Sequence, residues 1–281
     1  MTAWASLDDE LSRWADSGRT ATMWWRDDDA AAATPALERL LALRHSYDLG
    51  LALAVIPASL HTALPARLQD EPASVVVLQH GYAHQNHASG DEKTIELGPH
   101  RPAQIVIGEL GTGLLAMTQA FGPRFLPVLA PPWNRIAPAL VPMLPEIGFR
   151  GLTTYGARAR VEPVRGLLQV NTHVGPIEWR PRRAFAGADR VLAALVRELA
   201  ARRMAPPKSP AADEPTGMLT HHLVHDDDIW TFLDRLWNRL RAHPAVRIVP
   251  PAEIFVTLAS PSIPPRADPI SGRPAATAGG A

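Results

Sequence analysis

With 281 residues, 46% of them hydrophobic and 20% charged, the chain can bury a large core as a single α/β domain. Its 28 basic and 28 acidic residues cancel, and no basic block or aromatic-basic alternation stands out, which argues against a nucleic-acid partner. The absence of cysteine excludes a thiolate nucleophile, a cysteine-ligated zinc and any disulfide framework.

The chain opens Met1-Thr2-Ala3-Trp4 and soon turns acidic at Asp8-Asp9-Glu10, without the basic start and apolar stretch of a signal peptide. A cytoplasmic protein is the expectation. No membrane span is expected either, since the apolar run Leu49–Ile56 stops at Pro57. Trp4, Leu7, Leu11 and Trp14 fall on one face of a helix over residues 3–17. Apolar, partly β-branched runs follow at Thr20–Arg26, Leu49–Ile56, Ser74–Gln79, Phe125–Leu129, Phe149–Thr154, Leu167–Thr172, Gly217–Thr220 and Val246–Val249. Helical patterns lie between many of them, at Thr34–Tyr47, Ala103–Phe121, Pro138–Ile147, Ala188–Arg203 and Asp227–His243. Thr34 before Pro35 reads as an N-cap with proline at the first helical position.

Strands alternating with helices predict parallel strands joined by right-handed crossovers, and seven or eight such units predict a closed barrel. One domain is expected over residues 1–259. The Pro-, Ala- and Gly-rich tail 260–281 cannot support a packed core and is expected to be disordered. Ala205–Pro215 also reads as unstructured, and the long polar connection Gln85–Pro102 as a functional loop.

The polar clusters sit just after the predicted strands: Asp27–Asp29, His80–His84, Pro131–Asn134, His173, and His221 with His222. Barrel active sites gather at that carboxyl-terminal face. Two imidazoles four residues apart at a strand end can close on one divalent metal, and Gly81 between them allows a tight backbone path. A carboxylate from the acidic triplet would complete a three-ligand site with open positions for water and substrate, suited to metal-assisted hydrolysis. Imidazole and carboxylate ligands accept zinc, cobalt, nickel or manganese.

Each cluster also has a plainer reading. Acidic triplets are commonly solvated loops, and a His-x-x-x-His pair arises often by chance. His87 is an alternative ligand, whereas His100 reads as a loop residue. His221 or His222 offers an acid for a leaving amine or alkoxide. His225 and Asp226–Asp228 are assigned to the start of the helix that follows. Pro131–Asn134 reads as a rigid wall with Trp133 offering a flat face to a sugar ring, and Asn171, His173 and Trp179 as a further wall.

In this order the motifs resemble the polysaccharide deacetylases, the NodB-homology group also called carbohydrate esterase family 4, from about Trp25 to Asp226. The family's Asp-Asp pair is best matched by Asp28-Asp29, its histidine pair by His80 and His84, its proline loop by Pro131–Asn134, and its late Leu-x-His by Leu219-Thr220-His221. The resemblance implies a distorted (β/α)7-type barrel, one divalent metal (usually zinc), and hydrolytic removal of an N- or O-acetyl group from a carbohydrate or acylated small molecule. By position it makes Asp28 the general base, Asp29, His80 and His84 the metal ligands, and His221 the general acid. Pro132, Trp133, Asn134, His173 and His222 are expected against the substrate.

Departures from the pattern are specific. Asp27 replaces an aromatic, so the pair can also be read as Asp27/Asp28, and Ala30 replaces a glycine. Ala130 stands where an arginine usually begins the proline loop and orients the base, leaving Arg26 or Arg135 to substitute. Two other functions compete: a C–N hydrolase of formamides or cyclic amides, and a non-catalytic carbohydrate-binding barrel.

Overall fold

The computed structural model describes residues 2–255; the expected tail 260–281 and domain end at 259 lie outside the described residues. A helix α1 (Ala3–Asp16) precedes β1 (Ala21–Ala30), α2 (Pro35–Ser46), β2 (Leu51–Val55), α3 (Ala63–Leu68), β3 (Val75–His80), α4 (Ala103–Phe121) and β4 (Phe125–Ala130). Short strands β5 (Gly151–Leu152) and β6 (Leu168–Gln169) and a hairpin of β7 (Ile177–Glu178) with β8 (Ala184–Phe185) come next. Then follow α5 (Ala188–Met204), β9 (Thr216–Thr220), α6 (Asp227–Ala242), β10 (Val246–Ile248) and α7 (Pro251–Ile254).

Parallel pairing runs β1-β2-β3-β4-β5-β6, and β9 returns to pair with β1. Just beyond β6, Val174 bridges Met218 of β9, and its carbonyl accepts from the Leu219 N–H at 2.7 Å. Seven strands therefore circle a distorted (β/α) barrel, while β10 pairs with the first residues of β1.

Side-chain alternation sorts the strands into two cores. Met23 and Trp25 of β1 join the outer core with Leu51, Leu53, Val75, Val77 and the helices. Trp24 enters the barrel interior with Ala52, Ala54, Val76, Leu78, Val128, Ala130 and Val170. The alanines leave room for the indole, whose Nε1 donates to the Asn171 carbonyl at 3.0 Å. By the same period Arg26 and Asp28 turn inward and Asp27 outward. Outside, α6 buries Ile229, Trp230, Leu233, Leu236, Trp237 and Leu240 along one face, with Trp237 5.1 Å from Trp25.

The apolar helix α4 has the length and composition to cross a bilayer, which the shorter run Leu49–Ile56 does not. Here it is the crossover between β3 and β4 and buries Val106, Leu110, Met117 and Phe121. The Thr34 cap forms as expected, Oγ1 accepting from the Leu37 N–H at 3.1 Å. The helix expected at Pro138–Ile147 does not form. Two 3-10 turns, Pro138–Met143 and Pro145–Ile147, replace it, because Pro142 and Pro145 lack the N–H an α-helix needs and clash with the preceding turn. Ala205–Pro215 holds no helix or strand, but it is anchored. Buried Glu214 accepts from the Asn171 N–H at 2.9 Å and the Arg158 N–H at 3.2 Å.

Candidate active site

Strand β1 does not end at Arg26; it runs on through the acidic triplet. Its register against β2 shifts between Asp27 and Ala30, and Asp29 adopts φ 71°. Such a bulge re-aims a side chain, here toward the end of β3. Asp29 Oδ1 lies 3.1 Å from His80 Nε2 and 3.2 Å from His84 Nε2. One donor atom from each of the three residues lies within 4.8 Å of the others.

The hydrogen bonding of His80 tests whether a cation fits. Its Nδ1 is 2.9 Å from the Ala130 carbonyl oxygen, which can only accept, so Nδ1 carries the hydrogen. In the neutral ring, Nε2 then presents a lone pair to the Asp29 carboxylate. Two acceptors facing each other at 3.1 Å require a proton or a metal ion between them. Burial pulls the His80 pKa down, but the charges of Asp28 and Asp29 outweigh it and raise it. Burial would likewise raise Asp29, yet its hydrogen bonds to His80 and His84 hold the carboxyl far below its ordinary value. The pocket asks for positive charge, and two imidazoles with a carboxylate suit a divalent transition metal.

Behind Asp29, the inward-facing Asp28 is 1% exposed and gripped at both oxygens by fully buried Arg26, Nε to Oδ1 at 2.9 Å and Nη2 to Oδ2 at 3.0 Å. Arg26 also donates from Nη2 to Asn134 Oδ1 at 2.5 Å and from Nη1 to the Thr153 carbonyl and hydroxyl at 3.0 and 2.8 Å. All five of its N–H groups are thereby used. Arg135 is elsewhere, donating to the Thr94 carbonyl at 2.7 Å. The arginine absent at Ala130 thus has a counterpart on β1, two residues before the carboxylate it grips.

His221 Nε2 is 4.0 Å from Asp28 Oδ2, and its ring stands edge-on to Trp179 at 4.6 Å. Burial holds the His221 pKa below its ordinary value, with the charges of Asp28, Asp29 and Asp27 opposing that shift. Trp133, at φ 53°, lies 4.4 Å from the His84 ring. One indole therefore packs on a candidate ligand and the other, 44% exposed, on the candidate acid.

Asp27 points the other way. Its Oδ1 is 2.5 Å from His222 Nδ1, and its Oδ2 accepts from the His222 N–H at 3.0 Å and the Thr220 hydroxyl at 2.7 Å. Burial would raise Asp27, but His222 holds it low, and Asp27 in turn raises His222 against the pull of burial. Of the two registers read from the triplet, the one that brings Asp29 to the histidines is the one the geometry assembles.

Three expected substrate contacts need correction. His222 is 1% exposed, and its Nδ1 is engaged by Asp27, on the face of β1 opposite Asp28. His173 is buried as well; its Nδ1 accepts from the Gly217 N–H at 2.9 Å, and its Nε2 lies 3.3 Å from Glu214. Asn134 gives its side-chain oxygen to Arg26, which makes it a support for Asp28. Pro132 is buried beside Gly81, leaving half-buried Trp133 as the residue of that loop best placed to meet a ligand. Sequence reasoning missed the Asp27–His222 pair. The signal was present in the strand period, which sets Asp27 on the opposite face from Asp28.

The rolled parallel sheet, with its acidic and histidine clusters at the strand ends, has the NodB-type fold of the polysaccharide deacetylases. A protein of Mycobacterium smegmatis assigned as a polysaccharide deacetylase matches with TM-score 0.57 and 14% identity, over 86% of this chain and 91% of that one. A family 4 carbohydrate esterase from Streptomyces lividans in complex with acetate matches at 0.51 and 15%, over 82% and 91%. A family 4 acetyl xylan esterase from Clostridium thermocellum in complex with a cobalt ion matches at 0.51 and 13%, over 84% and 91%. No family model and no curated protein matches the chain.

Proposed function

We propose that the chain is a metal-dependent hydrolase that removes an acetyl group from a carbohydrate or a related acylated small molecule. One observation carries this reading: the His80 ring, fixed by the Ala130 carbonyl, turns Nε2 toward Asp29 with His84 alongside. The shared fold with acetyl esterases and deacetylases supports the substrate class.

A divalent ion held by Asp29, His80 and His84, with zinc the expected one, would supply Lewis acidity to an acyl carbonyl and to an attacking water. Asp28 is the group to accept the water's proton. Arg26 holds it in one orientation through both oxygens while leaving further carboxylate lone pairs free. His221, beside Asp28, is the group to protonate the departing nitrogen or oxygen. Trp133 and Trp179 offer apolar faces to a sugar ring.

The test is metal content by elemental analysis together with acetate release from N- and O-acetylated sugars, with formamides and cyclic imides as comparators. We expect one divalent ion per chain and acetate release that stops on chelation. Both should be lost in His80→Ala, His84→Ala and Asp29→Asn. Full hydrolysis by a chelated, metal-free chain would overturn the reading, as would turnover of the comparators alone.

A further inference from the structure

The connection between β3 and α4 sends one carboxylate back beneath the turn that joins the two histidines. Glu96 is 1% exposed. Its Oε1 accepts from the Ala83 N–H at 2.7 Å and its Oε2 from the Tyr82 N–H at 3.1 Å. Two successive amides aimed at one anion form a nest, here filled by the protein's own side chain. A Cβ on Gly81 would lie 2.0 Å from Glu96 Oε2 and 2.5 Å from Pro132 Cδ. Gly81 is therefore needed both for its φ of 56° and for the approach of Glu96.

The turn is a costly one. His84 also sits at positive φ, 55°, so one left-handed residue lies between the two histidines and the second histidine is itself left-handed. Conformations of this kind persist only where the surroundings over-determine them. Gln79 Nε2 donates to the Gly81 carbonyl at 2.9 Å, and the Gly81 N–H to the Ala130 carbonyl at 3.1 Å, which fixes the His80 end. Glu96 holds the two amides immediately before His84. Glu96 is itself held from behind, because Leu97 bridges Ile136 and its carbonyl accepts from the Ala137 N–H at 2.8 Å.

We infer that Glu96 is a positioning residue for the metal centre: it touches neither ion nor substrate, but fixes where His84 lands relative to His80. This rests on the reading of Asp29, His80 and His84 as metal ligands. Metal affinity then depends on Glu96, even though the residue offers the ion no atom.

The experiment titrates zinc into metal-free full-length chain against a competing chelator and follows amide hydrogen exchange in the same metal-free samples. Glu96→Ala is expected to weaken zinc binding by roughly 10–100-fold, the usual cost of losing an outer-shell partner. Glu96→Gln should fall between, since it keeps one accepting oxygen but sets an N–H against the other backbone donor. The Tyr82 and Ala83 amides, protected in the wild type, should exchange faster in Glu96→Ala. Asn86→Ala is the control: Asn86 Oδ1 accepts from the Ile95 and Ala88 N–H groups in the same connection, at 2.9 and 3.1 Å. It should keep zinc affinity within about twofold, well short of that cost. Equal losses in Asn86→Ala and Glu96→Ala would reduce Glu96 to general loop support and overturn the inference. So would wild-type zinc affinity, or unchanged amide exchange, in Glu96→Ala. If the wild type itself takes up no divalent ion, the metal reading has failed, which is distinct from a failure of Glu96 alone.

Discussion

Arg26 shows how one residue can satisfy the requirement left by another's absence. A guanidinium on the interior face of β1 reaches Asp28, Asn134 and Thr153 at once, a span that a lysine ammonium cannot match. Arg26→Leu strands Asp28 as a buried, unpaired charge, and chemical denaturation should register a loss of about 3–5 kcal/mol. Arg26→Lys keeps the charge but not the fork; acetate release should fall by roughly 10–100-fold while the fold survives. A leucine variant as stable as the wild type would mean that the fold does not depend on the Arg26–Asp28 pair. His225 makes a different prediction, about pH. Burial beside Trp230 pushes its pKa down to about 4, with charge on His222 and His221 assisting and that of Asp27 opposing. An unfolded histidine titrates near 6.5, so above that pH both states are neutral and this contribution to stability is complete. As pH falls from about 6.5 toward 4, the unfolded chain takes up a proton that the folded chain refuses. Stability then drops by at most about 3 kcal/mol from this group. Melting temperatures of wild type and His225→Gln, measured at pH 7 and pH 5, should show the variant losing less on acidification.

At the level of the element, α4 offers three glycines with opposite expectations. A Cβ at Gly108 or Gly111 would meet nothing within 4 Å, so alanine at either should gain about 0.5–1 kcal/mol from helix propensity alone. At Gly113 a Cβ would lie 2.4 Å from Gln79 Nε2 and 3.0 Å from Pro57 Cγ. That amide is already committed to the Gly81 and Leu110 carbonyls, so Gly113→Ala should cost about 1–3 kcal/mol despite the same propensity gain. Urea midpoints of the three variants would separate the two cases. The limits of α4 and α6 could be read from the sequence because each carries an uninterrupted apolar period, and α6 begins on a capping aspartate whose Oδ1 accepts from Ile229 at 2.8 Å. The segment at Pro138–Ile147 carried a similar apolar period but failed as a helix because periodicity does not count hydrogen-bond donors. Strands β5 and β6 are shorter than their apolar runs, since the far side of the ring is held by isolated bridges such as Tyr155 with Thr172. β1 proved longer than its apolar run: a strand whose last residues bind other side chains need not be hydrophobic there.

For the molecule as a whole, parallel topology explains why the site's location was legible and its details were not. Parallel strands place all their carboxyl ends on one rim, so polar residues that follow apolar runs must converge there whatever their order in the chain. Which aspartate meets the histidines depends on a bulge at Asp29, and which arginine serves Asp28 depends on a reach across the barrel interior to Thr153. Neither is encoded in local spacing, and burial of His173 and His222 follows from packing that spacing does not report. Convergence from separate strands also has a thermodynamic consequence. On the proposed reading, an ion held by Asp29 of β1 and His80 and His84 at the end of β3 would bind only the folded chain, and would stabilise it by about 2.7 kcal/mol when free ion exceeds its Kd a hundredfold. At about 2–4 °C per kcal/mol for a chain of this size, calorimetry should find the melting temperature higher by roughly 5–10 °C with zinc, and no shift in Asp29→Asn. The metal-free chains carry the sharper comparison. At a pH above the raised His80 pKa, the carboxylate of Asp29 faces the His80 lone pair, while an asparagine amide can donate to it. Metal-free Asp29→Asn should then melt no lower than metal-free wild type. A clearly lower melting temperature would mean that Asp29 is held by a charged imidazole as an ordinary ion pair, with no need for a metal between them.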